Sequence, residues 1–257
     1  MKTIKKIALA AAFVMAVAGG AQAKEWKTVR IGTEGAYPPF NFFDSNKELQ
    51  GFDIEISKAL CERMQVECTF VAQDWDGIIP ALLAKKYDAI IASMSITEER
   101  KKKVDFTDKY YQTPAGFVMT KGAGHSDFTP EGMAGKTIGA QSATTHASYL
   151  EDVYTDSNIK LYGTQDEANL DLANGRLDAV LADSVVLGEW LKTEDAGCCD
   201  MPHTFSGPVK YFGEGAGIAI RQGEDELKAM FNKALAEILA DGTYAKINDK
   251  YFSFSVY

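Results

Sequence analysis

The sequence predicts an α/β protein of two lobes, each a mixed sheet flanked by helices, on three observations. Strand-like and helix-like stretches alternate from residue 29 to residue 241. A βα pattern is written twice, over residues 84–93 and again over residues 173–183. No Pro/Ser-rich tether separates the halves, so the chain must pass between lobes through ordinary strands.

Taken in order, residues 29–33 read as a strand, 51–64 as a helix, 66–73 as a strand and 76–84 as a helix. Residues 87–93, Tyr-Asp-Ala-Ile-Ile-Ala-Ser, are the apolar run of a buried parallel strand that ends abruptly in hydroxyl side chains. Ser95 with Glu98, or Thr97 alone, then offers helix N-terminus chemistry. Past Val104, Phe106, Tyr110 and Tyr111, a strand is expected near 116–120. The second set runs strand 136–140, helix 144–154, strand 158–162, helix 166–174 closed by Gly175, and strand 177–182. A strand at 217–221 and a long amphipathic helix at 225–241, stopped by Gly242, follow. A second lobe over residues 114–211 leaves the first discontinuous, 24–113 with 212–257. Two crossing strands then form a hinge suited to closing on a ligand.

Residues 1–23 stand apart from this pattern. Lys2, Lys5 and Lys6 precede an apolar tract at 7–20 and the small-residue site Ala21-Gln-Ala23, as in a cleaved secretory signal peptide. An exported protein starting near Lys24 is expected. Removing 23 of 257 residues leaves 234, and losing three lysines takes the formal charge from −9 to −12. So acidic a product argues against nucleic-acid binding and suits a cationic small ligand. Cys61 ends one expected helix and Cys68 lies in the next strand, within bridging reach of each other. For Cys198 and Cys199 a vicinal disulfide, two free thiols and an intermolecular bridge all remain open. His125, His146 and His203 lack metal-ligand spacing, so neither a metal nor another cofactor is expected. Walker, Gly-x-Gly-x-x-Gly and Gly-x-Ser-x-Gly motifs are absent.

Ligands of open α/β sheets bind beyond the carboxyl ends of the strands. Ser93 and Asp183 hold matching final positions in the two copies of the repeat. One half therefore offers hydroxyls and Arg100, and the other a carboxylate, a pairing suited to a small zwitterion. The bland alternative is two similar βα units with Asp183 an ordinary helix cap. Arg100 sits near a helix N-terminus, where positive charge is unfavourable, so a bidentate carboxylate partner accounts for it better than pairing with Glu98 or Glu99. Glu34 follows the first strand, Tyr37 lies in a Pro-stiffened loop, and Trp75 marks another strand-to-helix junction. Two rings and a carboxylate suit a long cationic side chain, although each ring alone would serve as core filling. Thr145 opens the helix expected at 144–154, as a carboxylate ligand or as a plain cap.

The segments Thr33-Glu-Gly-Ala-Tyr-Pro-Pro-Phe40, Gly51-Phe-Asp-Ile54, Asp74-Trp-Asp-Gly-Ile-Ile-Pro80, Asp88-Ala-Ile-Ile-Ala-Ser-Met-Ser-Ile-Thr-Glu-Glu-Arg100, Asn174-Gly-Arg-Leu-Asp178, Tyr211-Phe-Gly213 and Asp241-Gly-Thr-Tyr244 stand in order along the chain. Together they resemble the periplasmic polar amino-acid-binding proteins of ABC transporters, particularly the lysine/arginine/ornithine and histidine branch. The resemblance implies a type II periplasmic binding protein. It places a carboxylate clamp on Arg100 with Ser95 and Thr145, and an α-ammonium acceptor on Asp183 with Ser93. It also implies a side-chain sandwich of Tyr37 and Trp75, a side-chain carboxylate at Glu34, and a Cys61–Cys68 disulfide. Glu34 and Ala92 stand where that branch often has aspartate and serine, and His146 replaces the commoner glutamine.

The expectation is a monomeric receptor for a basic L-amino acid, arginine before lysine, ornithine and histidine. It would deliver that ligand by lobe closure to a membrane permease and its ATPase. An opine or glutamine-type receptor is the alternative, and Asp183 speaks against opines, whose amine is secondary. A cyclohexadienyl dehydratase-like enzyme stands further off, because the sequence supplies no activated nucleophile or proton-transfer pair.

Overall fold

The computed structural model describes residues 26–257, and the signal peptide expected over residues 1–23 lies outside the described residues. Strand β1 (Thr28–Thr33) leads into a small antiparallel sheet of β2 (Ala36–Tyr37), β3 (Asn41–Phe43) and β4 (Leu49–Gln50). There follow α1 (Phe52–Met64), β5 (Glu67–Ala72), a 3-10 turn at Trp75–Gly77, α2 (Ile78–Leu83), β6 (Ala89–Ile90), α3 (Glu98–Lys101) and β7 (Val104–Tyr111). The chain continues through β8 (Ala115–Thr120), β9 (Thr137–Gln141), α4 (Thr145–Val153), β10 (Asn158–Tyr162), α5 (Gln165–Ala173), β11 (Ala179–Asp183) and α6 (Ser184–Trp190). After a 3-10 turn at Asp195–Cys198 come β12 (Cys199–Phe205), α7 (Val209–Phe212), β13 (Ala216–Arg221), α8 (Asp225–Ala240) and α9 (Thr243–Tyr251).

Two five-stranded mixed sheets result, and they share one plan. In the first, β5, β1 and β6 pair in parallel and β13 runs antiparallel between β6 and β7. In the second, β10, β9 and β11 are parallel and β8 runs antiparallel between β11 and β12. The chain crosses between the sheets twice, from β7 to β8 and back from β12 to β13. Helices cover both faces, so the central strands are buried on both sides and read as unbroken apolar runs. Phe52, Ile56 and Leu60 of α1 join Phe231, Leu235 and Ile238 of α8 in the first core. Phe117, Ile138, Leu150 and Leu181 lie on one face of the second sheet. Val118, Leu172, Val180 and Leu187 lie in a separate cluster of that lobe.

The repeat seen in the sequence has a structural cause. Asp88 accepts from the Arg30 N–H at 3.0 Å, and Asp178 accepts from the Thr137 N–H at 2.8 Å. Each aspartate thus anchors the N-terminal end of the neighbouring parallel strand. Lys85 and Gly175, three residues earlier, both take left-handed backbone, with φ of 62° and 70°.

Several boundaries differ from the sequence reading. The strand expected at 87–93 pairs only over Ala89–Ile90, because Ser93 turns left-handed (φ 56°) and its N–H bonds the Tyr110 hydroxyl instead of the sheet. The helix expected at 76–84 splits into the 3-10 turn and α2. Thr97 caps α3 without Ser95, accepting from the Arg100 N–H at 3.3 Å. The small sheet, β7, α6, α7, α9 and β12 were not foreseen. In α6 the pair Val185-Val186 disfavours a helix on propensity, and the cap at Asp183 overrides it. Cys61 and Cys68 are bonded, their Cα atoms 6.1 Å apart, and Cys198 and Cys199 form a vicinal disulfide. Among the described residues no helix is long and apolar enough to cross a membrane.

Candidate ligand-binding site

Glu34, Tyr37, Trp75, Ser93, Ser95, Arg100, Thr145 and Asp183 all line one cavity of about 390 Å³ between the two sheets. Most of them reach it because they end, or follow within a few residues, a strand at its carboxyl end, whereas Tyr37 lies in β2 and Arg100 in α3. Glu34 comes directly after β1, Ser93 shortly after β6, and Asp183 ends β11.

Arg100 shows why a cation stands in the first turn of α3. Its Nη1 donates to the Ser95 carbonyl at 3.0 Å and its Nη2 to the Ala143 carbonyl at 3.3 Å. The guanidinium carbon lies 5.3 Å from the centre of the Trp75 ring. Glu98 instead pairs with Lys101 at 2.8 Å, which sets aside an Arg100–Glu98 pair, while the charge of Glu99 favours the Arg100 cation without an ion pair between them. Burial lowers Arg100 to about 10, which leaves it charged at neutral pH, and three of its five donors stay free. His146 beside it is pushed down to about 3 by burial and then by the Arg100 charge, so its imidazole is neutral.

Asp183 is both cap and cavity wall. Its Oδ1 accepts from the N–H groups of Val185 at 2.8 Å and Val186 at 3.4 Å, and its Oδ2 accepts from the Thr113 hydroxyl. Burial nevertheless pushes it up to about 6, above the usual carboxylate range, because these donors only partly replace water. Glu34 is pushed up to about 7 by burial, with Asp166, Asp74 and Asp76 adding repulsion against the bond from Gln141. Such carboxylates gain from a cation. Thr144, rather than Thr145, caps α4, accepting from the Ala147 N–H at 3.1 Å. Thr145 therefore lines the cavity from the first turn, free of capping duty. Tyr37 belongs to the first core, stacked with Phe40 at 6.3 Å between centroids, while also facing the cavity.

Gln141 escaped the sequence reading. It donates to Glu34 Oε1 at 2.5 Å and to the Gly163 carbonyl at 3.1 Å. The signal was available, since Gln141 ends β9 just as Asp183 ends β11, but the expected strand stopped at residue 140. Further bonds join the two sides of the cleft. Trp75 Nε1 donates to the Ala143 carbonyl at 3.2 Å, and the Ser142 hydroxyl to Asp76 at 2.8 Å.

Residues 29–254 match the bacterial extracellular solute-binding proteins, family 3. The chain belongs to that family. This solute-binding protein is 47% identical over 260 residues to the L-arginine-binding protein of Pseudomonas aeruginosa, with 99% of each chain covered. It is 41% identical over 237 residues to the lysine/arginine/ornithine-binding periplasmic protein of Escherichia coli, covering 90% of each. Among solved structures, an ancestral arginine-binding protein bound to arginine superposes with a TM-score of 0.82 at 39% identity, over 88% of this chain and 98% of that one. The fold of this solute-binding protein is accordingly the two-lobed, type II periplasmic binding-protein fold.

Proposed function

We propose that this protein is a periplasmic receptor for a basic L-amino acid, arginine first and then lysine, ornithine and histidine. The observation that carries the reading is the charge layout of one cavity, with Arg100, Glu34 and Asp183 brought together from both sheets. Arg100 holds the α-carboxylate, helped by Ser95 and Thr145. Asp183 accepts from the α-ammonium with Ser93. Tyr37 and Trp75 flank the methylenes of the side chain, and Glu34 receives its cationic end. The names of the similar proteins support the ligand class.

Lobe 1 comprises residues 24–113 with 212–257 and lobe 2 residues 114–211, the two crossings acting as the hinge. Contacts made by both lobes at once supply the free energy of closure, because a ligand shifts an opening equilibrium only by its differential affinity. The closed monomer then meets a membrane permease coupled to an ATPase. The signal peptide directs the chain to the periplasm and is cleaved there. Binding is its activity, and it carries out no catalysis.

Calorimetric titration with arginine, lysine, ornithine, histidine, glutamine and octopine tests the reading. Arginine should bind most tightly and octopine least, its substituted amine crowding Asp183. Glutamine binding as tightly as arginine defeats the role of Glu34, and turnover of prephenate or arogenate defeats the receptor itself.

A further inference from the structure

Asp53 is a buried charge that the binding reading leaves unused. It is the second residue of α1, has no exposed surface, and does not line the cavity. Three donors converge on its carboxylate. Asn41 Nδ2 lies 2.8 Å and the Ser93 hydroxyl 3.1 Å from Oδ2, and the Tyr110 hydroxyl lies 2.8 Å from Oδ1. The same Tyr110 oxygen accepts from the Ser93 N–H at 3.1 Å. Asn41 Oδ1 accepts from the Gly35 N–H at 2.8 Å, on the loop between Glu34 and Tyr37. So a single carboxylate ties together two segments that line the cavity.

The chemistry of the donors matters more than the tether. An ionised carboxylate only accepts, and a hydroxyl has one proton to give. We infer that Asp53 is a positioning residue that accepts the hydrogen bond of the Ser93 hydroxyl, turning the lone pairs of that oxygen toward the cavity and so selecting the ammonium end of a zwitterion there. The inference rests on the proposed amino-acid reading of the cavity. Burial pushes Asp53 up to about 6 while the bonds from Tyr110, Asn41 and Ser93 hold it down, so it is ionised at neutral pH. Ser93 is held in left-handed backbone throughout, with its N–H and hydroxyl bonded to Tyr110 and Asp53. An amide at position 53 has one accepting oxygen, not two, and must turn donor hydrogens on Ser93 or Tyr110. Tyr110 has no exposed surface, so reversing its hydroxyl strands a proton in the core.

The test compares arginine with 5-guanidinopentanoate, which differs only in lacking the α-ammonium, the weaker ligand being read by competition. Asp53→Asn should lower the arginine-to-analogue affinity ratio roughly tenfold, the scale of one hydrogen bond to a charged group. Ser93→Gly, suited to the positive φ, should lower it similarly, and adding Asp53→Asn to that variant should lower it no further. A merely structural aspartate would weaken both ligands alike and act independently of Ser93. If Asp53→Asn does not fold, Tyr110→Phe runs the same cycle, with a smaller drop expected. An unchanged ratio, or an equal drop with and without Ser93, overturns the inference. A wild-type protein with no preference for arginine over the analogue overturns the amino-acid reading as well, whereas a preference that survives these variants overturns only the role of Asp53.

Discussion

The two copies of the βα repeat end in different chemistry although they begin alike. Both start with a left-handed residue, Lys85 or Gly175, and an aspartate that anchors the next strand. Asp88 then gains Arg30 at 2.8 Å and the buried Arg221 at 3.2 Å. Among the described residues Asp178 has only Lys136, at 3.7 Å on the surface. Although burial pushes Asp88 upward, the bonds from Arg30 and Arg221 hold it below the usual range. Strand β11 runs straight into α6, and Asp183 spends one oxygen on that helix. Strand β6 breaks off early, Ser93 turns aside, and the chain travels on to Arg100 before a helix forms. A repeated strand-and-turn unit therefore fixes where a site lies. What the chain does in the next few residues decides which charge is placed there.

Three changes separate the copies experimentally. The largest effect belongs to Asp183→Ala, which removes the cap of α6 and the proposed ammonium acceptor together. Arginine affinity should fall by about 3 kcal/mol, more than a hundredfold, as for truncating one partner of a buried charge pair. Stability to urea should fall by only about 1 kcal/mol, the worth of a cap. A loss of stability without a matching loss of affinity would reduce the β11 end to a plain cap.

The next effect lies in pH. Glu34 stands at about 7 and Asp183 at about 6. Both bind a cation in the ionised form, so protonating either one weakens binding. Arginine affinity should fall by up to about tenfold per pH unit below 7, and more steeply below 6 as the second proton adds. Glutamine should show only the lower step, and Glu34→Gln should erase the upper one for arginine. A profile for arginine that is flat between pH 8 and 6 contradicts the Glu34 assignment.

The smallest effects test the shared start of the repeat. Gly175→Ala should cost about 1 kcal/mol of unfolding free energy, because no atom crowds an added Cβ and only the left-handed backbone resists it. Lys85→Gly should gain a few tenths of a kcal/mol, strain relief roughly offsetting the added chain entropy. Ligand affinity should not move in either, and an affinity change would show that the turns reach the cavity.

Much of this molecule was legible from local pattern. The period of the apolar residues, the caps and the βα repeat were enough for the α/β class and for the strand ends that hold Glu34, Ser93 and Asp183. The placement of Arg100 against its helix dipole was itself a signal, because a cation held there needs a partner elsewhere. Other features depended on contacts between residues far apart in the chain. Gln141 meets Glu34 across 107 positions, and Tyr110 meets Asp53 across 57. The early end of β6 follows from the Tyr110 hydroxyl capturing an N–H that β-propensity assigns to the sheet. Sequence by itself determined the α/β alternation, most of the longer strands and helices and the charges available, since these depend on neighbours within a turn or a strand. Tertiary structure alone decided that Asp53 lies buried behind the cavity wall with three donors on its carboxylate, and that Gln141 reaches Glu34. Burial and hydrogen-bond supply at each carboxylate depend on what the rest of the fold packs around it.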